Sequence, residues 1–298
     1  MHTKIAACLN AINQVVLGKE MQVKLALTCL LARGHLLLED LPGMGKTTLS
    51  YALAKVLGLN YARVQFTSDL LPGDIIGTSV FEQSSGKFVF HAGPIFTELL
   101  LADEINRTTP KTQSALLEAM EERQVTIDGQ TRQLPTTFFV IATQNPSNSS
   151  GTFALPDSQL DRFLMRISLG YPAHAAEKSL LLKKERSEHL DELEPLLNAA
   201  ELLEIQQQIP DIRVSDSLLD YILRLVDFSR TNAQYGYGLS PRASIALLNA
   251  AKAWATIARR DYVIPEDVQA VLPFVATHRL QDNSGALIAH MLSEVAVL

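Results

Sequence analysis

Apolar residues open the chain at helical spacing. Ile5, Leu9, Ile12, Val15 and Val16 share one face, and Val23, Leu27 and Leu30 repeat the pattern beyond Leu17-Gly18-Lys19. The spacing predicts two helices between Lys4 and Arg33, hinged at that kink, the second over 21–32. The pattern then changes. Residues 36–38, 61–66, 99–102, 136–143 and 165–169 are short apolar-rich runs. Several are continuous, as expected of strands buried on both faces of a parallel sheet. Helical stretches lie between them at 48–57, 110–124 and 156–163. Leu71-Pro72-Gly73-Asp74 reads as a turn. Two hairpins interrupt the alternation. One pairs 79–81 with 87–90 about Ser84-Ser85-Gly86, and the other pairs 125–127 with 131–134 about Asp128-Gly129.

The βα alternation stops at Gly170-Tyr171-Pro172. Beyond it, 175–208, 215–230, 241–260 and 265–274 read as helices, with Pro241 and Pro265 suited to first turns. Residues 211–215 and 235–238 are loops, 183–194 is a charged, solvated helix face, and the tail after Arg279 has no clear pattern. The expectation is an α/β domain over 1–172, a parallel sheet with flanking helices, followed by an all-helical domain over 173–298.

Composition narrows the classes. The chain has 298 residues, 47% of them hydrophobic, enough for a sizeable core. A net charge of −6 argues against a dominant non-specific pull on nucleic acid. Cys8 and Cys29 form no CxxC and suit a reducing cytosol, so a cytoplasmic location is expected. Ile5-Ala6-Ala7-Cys8 resembles a lipoprotein cleavage site, but the apolar stretch before it is too short. The longest apolar candidate, 25–38, is broken by Arg33-Gly34-His35, so no membrane insertion is expected. Asn148-Ser149-Ser150 matches a glycosylation acceptor, which has no meaning without a secretory route. The seven histidines lack metal-ligand spacing and no G-x-S-x-G elbow occurs, leaving metal-hydrolase and acyl-transfer chemistry without support.

The chemistry sits where the first strand ends. Residues 36–38 run into Leu41-Pro42-Gly43-Met44-Gly45-Lys46-Thr47-Thr48, and a helix follows. This is the context of a phosphate-binding loop. Its glycines let successive backbone N–H groups face phosphate oxygens, and the new helix adds its positive end. Lys46 would reach the β- and γ-phosphates, and the Thr47 hydroxyl would ligate Mg²⁺. Pro42, Gly43, Met44, Gly45 and Thr48 complete the candidate cradle. The general pattern G-x-x-x-x-G-K-[ST] puts a glycine where this chain has Asp40. A carboxylate there would repel phosphate, so Asp40 is expected to point away.

Asp103-Glu104 closes the strand at 99–102. Downstream of such a loop, the first carboxylate can hold a water on Mg²⁺ and the second can polarise the attacking water. Asn145 ends the strand at 136–143, where it caps a turn or orients water at a γ-phosphate. The Val16-Leu17-Gly18 kink is either core packing or a wall for the nucleotide base.

This assembly resembles the AAA+ ATPases, and within them the MoxR family of the helix-2-insert clade. The phrases that carry the resemblance are LLEDLPGMGKTT, LLPGDIIGT, GPIFTELLLADEINRTTPKTQSALLEAMEERQVTIDG, FFVIATQNP, LPDSQLDRFLMRI and GLSPRASIALLNAAKAW. They span most of the chain, and MoxR-like proteins often carry an acidic residue at the position of Asp40. The resemblance implies an ATP hydrolase with Mg²⁺, GTP remaining open. It implies a homo-oligomeric, hexameric ring and chaperone-like remodelling of protein clients, among them von Willebrand factor A domain proteins. It makes Lys46 and Thr47 part of Walker A, Asp103 and Glu104 Walker B, Asn145 sensor 1 and Arg242 sensor 2, acting within its own subunit or on a neighbour. Arg162 is the arginine-finger candidate, with Arg123 and Arg166 as rivals. The 79–90 hairpin matches the helix-2 insert and the 125–134 hairpin the pre-sensor-1 hairpin. The alternative is a nucleic-acid motor, since related helix-2-insert proteins include helicases; acidic net charge and hairpins without clustered Lys or Arg weigh against it.

Overall fold

A computed structural model gives the fold and describes residues 2–145, 151–172, 174, 177, 178, 190, 192–282 and 284–297. Two helices, α1 (His2–Val15) and α2 (Glu20–Leu31), precede the first strand, β1 (Leu36–Glu39). Helix α3 (Lys46–Val56) follows, then β2 (Tyr61–Gln65), the short α4 (Pro72–Ile76), and the hairpin β3 (Gly77–Glu82) and β4 (Lys87–Ala92). Next come β5 (Leu99–Asp103), a 3-10 turn at Ile105–Arg107, and α5 (Pro110–Glu122). A second hairpin, β6 (Gln124–Ile127) and β7 (Gln130–Gln133), leads to β8 (Phe139–Gln144), α6 (Asp157–Leu160) and β9 (Met165–Ile167). The rest is helical: α7 (Ala199–Gln208), α8 (Asp216–Thr231), α9 (Pro241–Ile257), α10 (Pro265–Ala276) and α11 (Ala286–Glu294).

Five strands form one parallel sheet in the order β2-β5-β8-β1-β9. Its continuous apolar runs feed two cores through the period-2 alternation of side chains. Leu36, Leu38, Leu99, Leu101, Phe139 and Ile141 face one way, toward α1, α2, α3 and the C-terminal helices. Leu37, Leu100, Ala102, Val140 and Ala142 face the other, toward α5, Phe66 and Ile75. The first core runs without a break into the C-terminal helices: Leu225, Leu247, Ala250, Val268 and Leu272 belong to it. Parallel order brings the C-terminal ends of β1, β2, β5 and β8 to one edge of the sheet, where α/β proteins bind ligands.

Several expected elements differ. The turn at 71–74 is the start of α4: Pro72 takes its first position, and the Asp74 carboxylate accepts the Leu71 N–H at 2.8 Å. The single helix expected over 175–208 is broken: Glu177, Lys178 and Leu190 are helical, 192–198 is not, and α7 starts at Ala199. Pro195 lies in the non-helical stretch before it, and Asn198 with Glu201 forms a reciprocal capping box, the Glu201 N–H donating to Asn198 Oδ1 at 3.0 Å. Most of that expected helix, and most of the charged face at 183–194, lies outside the described residues, as do Pro146 and Asn148-Ser149-Ser150. The helix expected at 156–163 is one turn, Asp157–Leu160, and the tail after Arg279 holds α11.

The hairpins are coupled. The Arg132 guanidinium of β7 lies 4.0 Å above the Phe90 ring of β4, and Phe90 packs edge-on against Phe96. At the far end of β3–β4, Phe81 and Phe88 pack on each other at 5.4 Å while remaining 52% and 74% exposed. Among the described residues, no helix is long and apolar enough to cross a membrane.

Candidate nucleotide site

Gly43 and Gly45 have φ of +85° and +92°, and space around each is open where a side chain would sit. Only glycine adopts these angles cheaply, so the loop can curl tightly and hand over to α3 at Gly45. Lys46, the first residue of that helix, is 8% exposed. Its ammonium donates to the Asp40 carbonyl at 2.8 Å and reaches Asn145 Oδ1 at 3.5 Å. Burial lowers its pKa, against the opposing pull of Asp40, Asp103 and Glu104. Lys46 is thus sunk in the floor of the cavity it helps to line.

That cavity, of about 570 Å³, brings Pro42, Gly43, Gly45, Lys46, Thr47 and Thr48 together with Asp103, Glu104 and Asn145. The Asp40 carboxylate turns away from it. It accepts the Ser168 hydroxyl at 2.7 Å and the Gly170 N–H at 3.2 Å, and it also accepts the Leu169 N–H. Asp40 therefore binds the chain just beyond β9, where the sheet ends. Lys19 holds the same segment from the other side, donating to the Gly170 and Tyr171 carbonyls at 3.0 and 2.7 Å.

The two carboxylates are fixed by different means. Asp103 is buried at the end of β5, accepting the Thr143 hydroxyl at 2.6 Å and the Arg63 guanidinium at 2.6 Å. Glu104 adopts a left-handed conformation, φ 57° and ψ 48°, which turns the chain off the strand. For a non-glycine residue this costs about 1–2 kcal/mol. The Glu104 N–H donates to Thr143 Oγ1 at 2.8 Å, so one hydroxyl organises both acids. Glu104 accepts Asn145 Nδ2 at 3.0 Å and Gln65 Nε2 at 2.8 Å, and pairs with Arg107 at 3.0 Å. Arg63, Gln65 and Thr143 are site residues that sequence reasoning passed over. The available signal was their place at or near the C-terminal ends of β2 and β8, beside Asp103 in the sheet.

The donor set fits a magnesium nucleotide. Thr47 and Asp103 border one cavity, and no group of three or more His, Cys, Asp or Glu side chains forms a metal cage among the described residues. Mg²⁺ characteristically takes one or two protein ligands and completes its shell with phosphate and water. A second cavity of about 350 Å³ adjoins the loop and is lined by Val16, Leu17, Lys19, Met44, Thr48 and Tyr171. Val16 and Leu17 thus stand beside the glycine loop. Gly18, at φ 66°, forms the bend next to them and is not part of the lining.

The arginines lie elsewhere. Arg162 and Arg242 are absent from the lining of the Lys46 cavity and meet in another, of about 320 Å³, with Arg33, Arg123 and Arg279. Glu121 and Asp161 supply the acids there, leaving an excess of positive charge. The rivals are engaged otherwise. Arg123 donates to the Arg33 and Thr136 carbonyls at 2.9 and 3.3 Å, and burial lowers its pKa. Arg166 pairs with Glu39 at 3.0 Å.

Residues 35–165 match the family described as the ATPase family associated with various cellular activities (AAA), and residues 227–292 match the AAA lid domain. The chain is 45% identical to the uncharacterized protein YeaC of Bacillus subtilis over 297 residues, covering all of this chain and 93% of that one. It is 39% identical to chaperone MoxR1 of Mycobacterium tuberculosis, over 96% of this chain and 78% of that one. The crystal structure of a candidate ATPase from Cytophaga hutchinsonii is 37% identical and superposes with a TM-score of 0.90, covering all of this chain and 96% of that one.

Proposed function

The chain belongs to the MoxR family of AAA+ ATPases, and on that premise we propose that it is a Mg²⁺-dependent ATP hydrolase, assembled as a ring of identical subunits, that remodels protein partners. The observation that carries the hydrolytic reading is the single cavity uniting the glycine loop, Lys46, Asp103, Glu104 and Asn145. In our assignment the loop N–H groups and Lys46 bind the β- and γ-phosphates, and Val16 and Leu17 border the base, with Gly18 shaping the bend beside them. Mg²⁺, held through Thr47 and Asp103, would neutralise phosphate charge. Glu104 accepts a proton from the attacking water, and Asn145 and Gln65 hold that carboxylate in place. We assign residues 1–172 to the nucleotide-binding domain and 173–298 to the lid.

Ring assembly is supported by the arginines. Phosphoryl transfer is driven by charge stabilisation, and a guanidinium supplied by a second protein accelerates GTPases by about 10³–10⁵. Arg162 and Arg242 stand in a cavity of excess positive charge apart from their own Lys46. We propose that both act on the nucleotide of a neighbouring copy. Mixing Arg162→Ala, which keeps its phosphate loop, with Lys46→Ala, which keeps its arginines, tests this. Each alone should be nearly inactive, and the mixture should recover part of the activity. With exchange verified by labelled subunits, an inactive mixture rules the shared site out.

For clients, the name of the mycobacterial relative supports a chaperone-like role. The β3–β4 tip presents Phe81 and Phe88, which suits protein contact better than a nucleic-acid backbone. A pull-down with a Glu104→Gln variant in ATP would retain clients, including any von Willebrand factor A domain protein; a catch of nucleic acid instead would favour a motor.

A further inference from the structure

The cavity that holds Arg162 and Arg242 is organised by one side chain, Glu121, in the last turn of α5. Its Oε2 accepts Arg162 Nη2 at 3.1 Å, and its Oε1 accepts Arg242 Nη2. The two arginines arrive from different parts of the fold. Arg162 follows α6 in the α/β body, and Arg242 is the second residue of α9 in the lid, a helix capped by Ser240. Two guanidinium groups that share a cavity repel each other. The carboxylate between them removes that repulsion and fixes both planar forks toward the same space.

No other acid does this among the described residues. Asp161 accepts Arg279 Nε at 2.7 Å, and its carboxylate comes no nearer than 3.9 Å to Arg242. Among the described residues Arg162 has no second acid, and its buried Nε has no hydrogen-bond partner. Arg242 is half exposed, and Glu121 is a third exposed. Such pairs contribute little to stability. Their value lies in orientation.

We propose that Glu121 is the positioning residue that gathers Arg162 of the body and Arg242 of the lid into one pair, presented to the polyphosphate of a neighbouring subunit. The inference rests on the shared-site reading above. It also makes the lid's orientation a condition of catalysis next door, because Arg242 reaches Glu121 only when the lid is docked as seen here.

The rival is that Glu121 merely staples the lid to its own body. The two differ in which subunit suffers. Glu121→Ala should lower kcat about 10²-fold, the scale of a misplaced catalytic group, while ATP affinity at its own intact phosphate loop stays unchanged. Mixed with Lys46→Ala subunits, Glu121→Ala should recover activity, because the partner's intact Glu121, Arg162 and Arg242 then serve its nucleotide. Glu121→Gln keeps the volume and one acceptor oxygen. It should show the same pattern in milder form, and it replaces the alanine variant if that one does not fold. Wild-type turnover in both variants overturns the proposal. Failure of the Glu121→Ala mixture where the Arg162→Ala mixture recovers overturns it too, leaving the shared site standing. Failure of both mixtures, with subunit exchange verified, removes the shared site and this proposal together.

Discussion

Asn145 donates its side-chain amide to the Glu104 carboxylate across 3.0 Å. The contact joins the ends of two strands that are neighbours in the sheet, β5 and β8. Gln65, from β2 on the other side of β5, holds the second Glu104 oxygen at 2.8 Å. The carboxylate is therefore aimed from both flanks, as a proton acceptor must be if its water is to be in line.

Glu104→Gln preserves that shape and removes the basicity. Turnover should fall about 10²–10⁴-fold, the usual contribution of a general base, with ATP affinity retained. Steady-state hydrolysis beside equilibrium titration with labelled ATP checks this. Near-normal turnover would move the base elsewhere.

Asp103→Asn should act on the metal requirement. Thr143 and Arg63 both donate to Asp103, so the amide oxygen of the variant keeps a donor partner and the fold should persist. The Mg²⁺ concentration for half-maximal hydrolysis should rise about 10–100-fold, as for other groups that orient a metal's ligands. An unchanged Mg²⁺ titration would remove Asp103 from the metal site.

Asp40→Gly brings the loop to the general motif, and the expected result is damage. Three hydrogen bonds to the chain at 168–170 disappear, two of them from backbone N–H groups. The loss should be about 3 kcal/mol, read from the denaturant midpoint. Asp40→Asn, with one oxygen left, should lose about half as much. Unchanged stability in Asp40→Gly would show that these contacts carry nothing.

His35 should set part of the pH dependence of stability. It is fully buried, its Nδ1 accepts the Val140 N–H at 3.0 Å, and its Nε2 donates to the Met120 carbonyl at 3.2 Å. A second ring proton would face the Val140 N–H. Burial, with Arg123 nearby, lowers the pKa from 6.5 to about 3. The unfolded chain therefore takes up a proton below about pH 6.5 that the folded chain refuses. Stability from this group is full above that pH and is lost as pH falls toward 3, by about 1.4 kcal/mol per pH unit for one proton. His278, also buried with a lowered pKa, acts in the same sense. His35→Gln should shed one proton's share of the slope between pH 6 and 5; an unchanged slope refutes the assignment.

Much of this was legible from local chemistry. Leu36-Leu37-Leu38 followed by Gly43, Gly45 and Lys46 predicts strand, loop and helix because each residue's own constraints point the same way. Contacts between distant segments were not legible. Nothing beside Thr143 in the sequence says that its hydroxyl will bridge Asp103 and Glu104, since the parallel register of β5 and β8 brings them together. Arg162 and Arg242 lie eighty residues apart, and their meeting on Glu121 follows from how the lid docks. The break before α7 had a local signal in Pro195 and the Asn198–Glu201 box, and there the helical period of the apolar residues outweighed it.

The stacking of Arg132 on Phe90 makes two hairpins into one limb. Its outer end is the Phe81–Phe88 pair, and its inner end is β6, which begins one residue after Arg123 closes α5. Two residues back along that helix is Glu121. The aromatic tip is thus linked, through an aromatic ring, a guanidinium and a short ribbon, to the carboxylate between the arginines. The two hairpins thus connect the exposed Phe81–Phe88 pair with the helix end that carries Glu121.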